Sequence, residues 1–553
     1  MKYSMPYFAY IILLGIAPFA ATFLLAGVGV KSIVLVYKLY PIYQIIANTF
    51  IYTTVTSVLA TLIGLLAAIA IDAINNKTLQ LILAFLVMLP YTIPFTSAAL
   101  IWSISFYGPY GWFTYLLGLK YDPLLLSSTA MLGVILVSVW GSIPMSFLII
   151  FSSLKSVPKE IKENTLMDGM KKSEYYFKIA LPLIGKAVLI VFLLSFVFSL
   201  GAFDTPYILT GGGPLFSTTT LGLAVYTISF KSSLRQALSG GAFAAAILAV
   251  IATIPALLYV KALRAQRVPF PSLNIKINNK LMMGLITIFL FLLIFFLDFP
   301  IYYMFLAAFR TPEMDFTSPP VLLPVGLTSS YFIQALKESI PYLISTVVVS
   351  LISPIISILL ASPASYEISR GKNSWILPLS MYLYSLPVMV FIIPIYIFIS
   401  KINLLNTWWA LIITMPLYGA LYALWLMYNY FTLLPKSYDE TAELFGIKNK
   451  FLRIIMPLSR PALFSTLLLL IIGSWHALFV PLVLTETPYN FSFPPKGAQT
   501  LSIFALLAIG DVSVNWSLLA ASAVVTALPV MILSIISITR VLKGSYSGGI
   551  KFI

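Results

Sequence analysis

Two stretches decide how this chain is organised: Val157-Pro-Lys-Glu-Ile-Lys-Glu-Asn-Thr-Leu-Met-Asp-Gly169 and Leu434-Pro-Lys-Ser-Tyr-Asp-Glu-Thr-Ala-Glu-Leu-Phe-Gly446. They align without gaps, Pro158 on Pro435, Glu163 on Glu440 and Gly169 on Gly446, each pair 277 positions apart in a chain of 553. A separation of half the length makes the second stretch a tandem copy of the first. In each, the proline suits a first helical turn, where a missing N–H costs nothing. Carboxylates gather early, Glu160 and Glu163 or Asp439 and Glu440, toward the positive end of the helix dipole. Glycine then ends the helix, because it reaches left-handed backbone angles without a Cβ clash. In the first copy Ser173 is expected to cap a second short helix, with Glu174 and Lys178 paired one turn apart and Pro182 leading into the next segment. An ordinary charged loop has no reason to recur in register, so short surface helices are predicted in both copies.

Outward from these stretches the chain is apolar: hydrophobic residues make up 60%, charged residues 9%, and the mean hydropathy is +1.00. A soluble domain is about a quarter charged, so a soluble globular fold is excluded. Apolar runs long enough to cross a bilayer cover approximately 7–30, 45–71, 79–104, 128–151, 187–209 and 237–260, then 281–309, 342–364, 375–400, 408–431, 462–484 and 516–539. The predicted fold is all-α: a polytopic membrane protein of about twelve transmembrane helices in two tandem parallel six-helix repeats. Residues 1–263 form the first half, 264–280 a basic, proline-bearing linker and 281–553 the second half. Six is even, so both copies keep one orientation, and each duplicated stretch falls between the fourth and fifth spans of its half. The first run is longer than a signal-peptide core and no convincing cleavage site follows, so it is read as a retained helix. With no cysteine in the chain, disulfides and thiolate metal or redox sites are excluded.

Placing both termini in the cytoplasm puts 24 of the 33 lysines and arginines on the inner side, among them Lys2, Lys155, Lys162, Arg267, Arg370, Lys450 and Lys551, and leaves Lys31, Arg235, Arg310 and six others outside. Inner loops carry such an excess in multi-pass proteins. The formal charge of +16 is thereby explained without nucleic acid.

These residues resemble the cytoplasmic loop of the transmembrane subunits of type I ABC importers, which reads approximately E-A-A, a glycine six residues after the glutamate, then I-x-L-P. The first copy has Glu163-Asn-Thr, Gly169 and Ile179-Ala-Leu-Pro182; the second has Glu440-Thr-Ala, Gly446 and Ile455-Met-Pro457. Asn164 and Thr165 replace the alanines, and the second glycine-to-proline interval is shorter. Further stretches resemble the carbohydrate, maltose-transporter-like branch. Phe203-Asp-Thr-Pro-Tyr-Ile-Leu-Thr-Gly-Gly-Gly-Pro214 is similar to a segment of the first sugar-permease subunit. Phe309-Arg-Thr-Pro-Glu-Met314, Ser318-Pro-Pro-Val-Leu-Leu-Pro324 and Trp475-His-Ala-Leu-Phe-Val-Pro481 are similar to its partner, with His476 in place of the usual asparagine. The chain looks like both permease subunits fused head to tail.

The resemblance implies a sugar importer of the cell membrane, working by alternating access, with two ABC ATPase subunits on the cytoplasmic side and a substrate-binding protein outside. Pro158, Glu163, Gly169, Pro182, Pro435, Glu440, Gly446 and Pro457 would couple the chain to the ATPases. No cofactor is expected on this chain, ATP and magnesium belonging to those partners. A phosphate-cradling loop, G-x-x-x-x-G-K-[S/T], is missing from the sequence: the Gly-Lys pairs continue into Ala187 and Asn373. The chain is therefore expected to be a non-catalytic subunit. Sugar recognition combines aromatic faces with sparse hydrogen-bonding groups, and Phe203, Asp204, Tyr207, Trp475, His476 and Phe479 are the candidates, at the interface between halves. Each aromatic taken singly is equally a packing or headgroup residue. Asp298, beside Pro300 in the seventh run, is expected to be satisfied by a neighbouring helix or a water pocket. A secondary transporter shares the twelve-span plan but has no use for paired cytoplasmic helices. A membrane glycosyltransferase would need clustered acids, whereas Asp122, Glu313, Asp315, Glu338, Glu486 and Asp511 are scattered. An importer for iron or polyamine is the alternative within the permease class.

Overall fold

The computed structural model describes residues 3–28, 30–232, 237–266, 268–492, 495–508 and 515–546. Lys2, Arg235, Arg267, Asp511 and Lys551, and the side chains of Lys31, Arg540 and Lys543, lie outside the described residues. Among the described residues the chain is helical throughout, with one isolated bridge, Arg310 to Leu327, in place of any sheet. In hydrocarbon a helix satisfies its own peptide groups, which is why apolar runs of this length adopt it. Among the described residues nine helices are long and apolar enough to span a membrane, and three bent pairs, each taken as one span, bring the number to twelve. The pairs are Lys77–Thr92 with Phe95–Phe106, bent by 95°, Ile376–Tyr384 with Met389–Lys401, by 94°, and Phe451–Leu458 with Arg460–His476, by 71°. Pro90 and Pro94, Pro387, and Pro457 and Pro461 stand at the three bends, where proline interrupts the hydrogen-bond ladder.

Two expected spans are shorter at their outer ends than the apolar runs that suggested them. The run 187–209 is helical only to Leu200, and a separate helix covers Asp204–Thr210. The run 462–484 stops at His476, followed by Phe479–Leu484. In both places a proline, Pro206 or Pro481, sits in the first turn of the short helix, where no backbone donor is required. Apolarity continues across these breaks, so hydropathy does not reveal them. A short apolar helix, Leu221–Lys231, was likewise outside the sequence reading.

The chain forms two compact units, and each takes segments from both halves of the duplication. One consists of Met1–Ile42, Ala224–Thr253 and Glu338–Phe504. Within it the first span packs on Met389–Lys401, Thr22 Oγ1 donating to the Val390 carbonyl at 2.6 Å and Tyr7 OH to Ser380 Oγ at 2.9 Å. The other consists of Tyr43–Leu223, Ile254–Lys337 and Ala505–Ile553. There the helix Asn279–Ala308 packs on Trp516–Tyr546 and on the bent pair around Pro90, and Trp140 Nε1 donates to the Leu297 carbonyl at 3.0 Å. Just beyond that helix Arg310, 2% exposed, donates through Nε to Asp315 Oδ1 at 2.8 Å and through Nη2 to Tyr303 OH at 3.2 Å. Asp315 Oδ2 accepts from Ser517 Oγ at 3.0 Å, and burial keeps this carboxyl above its ordinary range although Arg310 opposes the shift. An arginine counted as a loop charge is therefore an internal fastening. Asp298, expected to be satisfied by a neighbouring helix or a water pocket, has both carboxylate oxygens buried without a hydrogen bond to any described residue.

Close helix crossing depends on glycine at one position in particular. A Cβ on Gly64 would stand 2.7 Å from Ser146 Cβ and 2.8 Å from the Phe147 nitrogen, whereas one on Gly27 meets nothing within 4 Å. Gly64→Ala is expected to destabilise the detergent-solubilised protein by about 1–3 kcal/mol through overpacking. Gly27→Ala should be neutral or stabilising by up to ~1 kcal/mol from helix propensity. Paired thermal melts check both.

Candidate functional site

Both duplicated stretches fold as short helices, Lys159–Met167 and Ser437–Leu444. The prolines stand just outside rather than in the first turn: Pro158 is the residue before the helix and Pro435 lies one residue further back, behind Lys436. Gly169, at φ +81°, and Gly446, at φ +61°, terminate them in left-handed conformation. The next amides fold back, Met170 N donating to the Thr165 carbonyl at 3.3 Å and Ile447 N to that of Ala442 at 2.8 Å. Residues three apart share a face. Lys162 and Thr165 in the first copy, and Asp439 and Ala442 in the second, form the face turned to the protein. Glu163 and Glu440 are on the exposed side. So are Met167, 84% exposed, and its aligned counterpart Leu444, 86% exposed, followed by Phe445 at 78%. These three apolar tips were not singled out from sequence; the position of Met167 and Leu444 two residues before each glycine was the available signal for the aligned pair.

Each helix is seated on one end of a spanning helix by a polar node. In the first copy Asp72, the last residue of Ile42–Asp72, accepts from Lys155 Nζ at 2.6 Å, Lys162 Nζ at 2.9 Å and Tyr176 OH at 2.7 Å. Lys155 also donates to Gln80 Oε1 at 3.0 Å. In the second, Asp439 accepts from Arg370 Nε at 2.7 Å and from Tyr366 OH, and Lys450 Nζ lies 3.5 Å from its Oδ1. Arg370 Nη1 also donates to the Phe431 carbonyl at 3.0 Å. Beneath this node Tyr366, Met427, Phe431, Phe451 and Ile455 form a buried cluster.

The segment after each glycine is helical with a widened turn, Tyr175–Ala180 and Phe451–Ile455, before Pro182 and Pro457 enter the next helical stretch. Ser173 does not cap it. Its hydroxyl accepts from Ile277 N at 2.9 Å, on the inter-half linker, and the Glu174 carboxylate takes the capping role by accepting from Lys171 N at 3.0 Å. Glu174 also pairs with Lys276 at 3.6 Å in place of the expected Lys178. The linker outcompetes both local partners because it lies along this segment: Leu273 N donates to the Phe177 carbonyl at 3.0 Å, and a Cβ on Gly185 would overlap Phe270. The chain ahead of the first span has an analogous seat, where Tyr3 N and Ser4 N donate to Glu367 Oε2 at 3.0 and 2.7 Å and the Tyr3 ring lies 5.8 Å from that of Phe451.

The candidate pathway residues fall at the two helix breaks. In one unit Phe203 and Tyr207 stack at 4.9 Å, and Asp204 opens the short helix between them. In the other, Trp475 and His476 end the helix Arg460–His476, Phe479 begins the next, and the Phe479 ring stands 6.3 Å from Tyr226. After Thr210 the glycine run turns back on itself, Gly211 and Gly212 both at positive φ, with Thr219 Oγ1 donating to the Gly212 carbonyl at 2.8 Å. A Cβ at Gly212 would intrude on Thr219 and Leu223, so no larger residue fits this turn.

Comparison with known proteins gives this arrangement its class. The chain is 26% identical over 272 residues to the probable ABC transporter permease protein YurM of Bacillus subtilis strain 168, covering 48% of this chain and 87% of that one. It is 31% identical over 189 residues to the sn-glycerol-3-phosphate transport system permease protein UgpA of Rhizobium meliloti strain 1021, covering 33% and 63%. To the trehalose/maltose transport system permease protein MalF of Thermococcus litoralis it is 28% identical over 194 residues, covering 32% and 64%. The family profile described as binding-protein-dependent transport system inner membrane component matches twice, over residues 60–268 and 355–543. Two matches, each enclosing one node and one of the duplicated short helices, make this chain a member of that family, with two copies of its membrane domain in one polypeptide.

Proposed function

We propose that this chain is the solute-conducting subunit of an ATP-binding-cassette importer for a carbohydrate, with both termini in the cytoplasm and two separate ATPase subunits seated on its two cytoplasmic helices. The observation that carries the reading is the aligned pair of exposed apolar tips, Met167 and Leu444, each beside an exposed glutamate of the same register, Glu163 or Glu440. Large apolar side chains on a charged surface mark a protein contact, and two such tips 277 residues apart suit two like partners. The sequence lacks a phosphate-cradling loop, so nucleotide binding and hydrolysis are assigned to those partners. A binding protein would deliver solute on the opposite face. Nucleotide-driven movement of the helices would rock the spans they rest on, giving alternating access.

Carbohydrate is favoured by the chemistry of the pathway candidates as well as by the name of the Thermococcus relative. Tyr207 would offer a ring face for the C–H side of a sugar, with Asp204 and His476 to bond hydroxyls, while Phe203, Trp475 and Phe479, buried in this structure, would come into play as the breaks open. The relative named for sn-glycerol 3-phosphate makes a phosphorylated polyol the competing cargo. A phosphate would call for lysine or arginine, and the six candidates include none, whereas Asp204 would repel it.

Met167→Asp with Leu444→Asp should abolish copurification of the ATPase subunits while leaving the thermal melt of the chain unchanged; retained copurification would refute the docking assignment. Gly169→Val and Gly446→Val force a branched residue into left-handed geometry at a cost of about 1–2 kcal/mol each, and ATP-dependent uptake into vesicles should fall while Gly→Asn variants largely retain it. Asp204→Ala and His476→Ala should lower sugar uptake with normal membrane expression. Full uptake in both would remove them from the pathway.

A further inference from the structure

The two polar nodes have the same composition and opposite layout. Each centres on one shielded carboxylate with two basic side chains and one tyrosine: Asp72 with Lys155, Lys162 and Tyr176, and Asp439 with Arg370, Lys450 and Tyr366, Lys450 donating also to the exposed Glu443 at 2.5 Å. In the first copy the acid terminates the spanning helix and the base, Lys162, rides on the cytoplasmic helix. In the second the base, Arg370, follows the spanning helix Ser330–Ser369 and the acid, Asp439, rides on the cytoplasmic helix. Lys162 and Asp439 are aligned residues of the duplication, each three residues before the buried Thr165 or Ala442. One aligned position has opposite charge in the two copies, and in each copy the residue it meets across the joint carries the complementary charge.

We infer that Asp72–Lys162 and Arg370–Asp439 are positioning pairs of opposite polarity, fixing each cytoplasmic helix to the spanning helix of its own half so that displacement of the first by an ATPase subunit is delivered to the second. The mention of an ATPase rests on the importer reading above; the seating rests on geometry. Both carboxylates are only 10% exposed, and unpairing a charge shielded to that degree is costly, which makes the joint stiff. The exposed Glu160, Glu163 and Glu440 are screened by water and cannot serve this way. The reversal also selects among seats. Lys162 set against Arg370, or Asp439 against Asp72, would place like charges in contact, so the two helices are not interchangeable although their sequences share one pattern.

The test uses the full chain, alone and reconstituted with its ATPase and binding protein in vesicles. Lys162→Asp and Asp439→Arg each put like charges across a joint. The swaps Asp72→Lys with Lys162→Asp, and Arg370→Asp with Asp439→Arg, restore one acid and two bases to each node. Each single variant should speed backbone hydrogen exchange in its cytoplasmic helix and lower uptake per ATP hydrolysed by about tenfold, and each swap should recover most of both. Tyr176→Phe and Tyr366→Phe, which keep the rings and remove one donor, should give a smaller loss in the same ratio and serve if a charge reversal does not fold. Unchanged uptake per ATP in the single variants, or swaps no better than singles, overturns the proposal. Because exchange is read on the chain by itself, exchange that follows the proposal in a wild-type assembly without ATP-dependent uptake would sink the importer reading and leave the pairs standing as helix seats.

Discussion

A bilayer interior offers no partner for a peptide N–H or C=O, and the architecture follows from that constraint. Every segment at membrane depth must close its own hydrogen bonds, so the chain is helical. Charge is correspondingly confined: the ion pairs of the described residues cluster near helix ends, around Asp72, Glu174 and Asp439, with Arg310–Asp315 just beyond the C-terminal end of its span. Where the ladder is interrupted, at the bends around Pro90 and Pro387, the flanking residues Met88, Thr92, Leu386 and Met389 are buried within protein. The breaks before Asp204 and Phe479 obey the same rule, with Phe203 and Leu478 buried beside them.

These helix ends are then the sites where polar chemistry can do mechanical work. A carboxylate at the rim is dry enough for its pairs to be strong and near enough to water for the charge to be tolerated, which places Asp72 and Asp439 in the useful range between surface and core. The aromatic rings around them add to the seat: Lys162 lies 5.2 Å from the Tyr176 ring centroid, and the Arg370 guanidinium 5.4 Å from that of Tyr366. Each cytoplasmic helix thus presents one face to its span and leaves its other face and its tip to a partner.

Much of this was legible in the sequence because it is written in periodicity and in glycine. The spans came from runs of apolar residues, and the cytoplasmic helices from a repeat whose glycines do adopt the left-handed angles their spacing suggests. Local rules failed where a distant segment intervened. Ser173 and Glu174 have the spacing of a cap and an intrahelical pair, yet Ile277 and Lys276, a hundred residues away, take those contacts. Asp439 was read only against the helix dipole and Lys162 only as an inner-side charge, because their partners, Arg370 and Asp72, lie 69 and 90 positions away. The placement of Asp204 beyond the end of its span depended on a helix break that apolar residues conceal. Arg310 looked like a loop cation and Asp315 an isolated acid because the fold that buries them closes around the pair, with Ser517, 202 residues from Asp315, donating to that acid.

The linker lies along Phe177, Ser173 and Glu174, held by backbone bonds and an ion pair rather than hanging as a free tether. Severing one peptide bond there would leave those contacts able to re-form, so adhesion does not require covalent joining. What continuity does supply is parity: both membrane domains are synthesised together in a ratio of one to one, and neither has to find the other by diffusion in the plane of the bilayer.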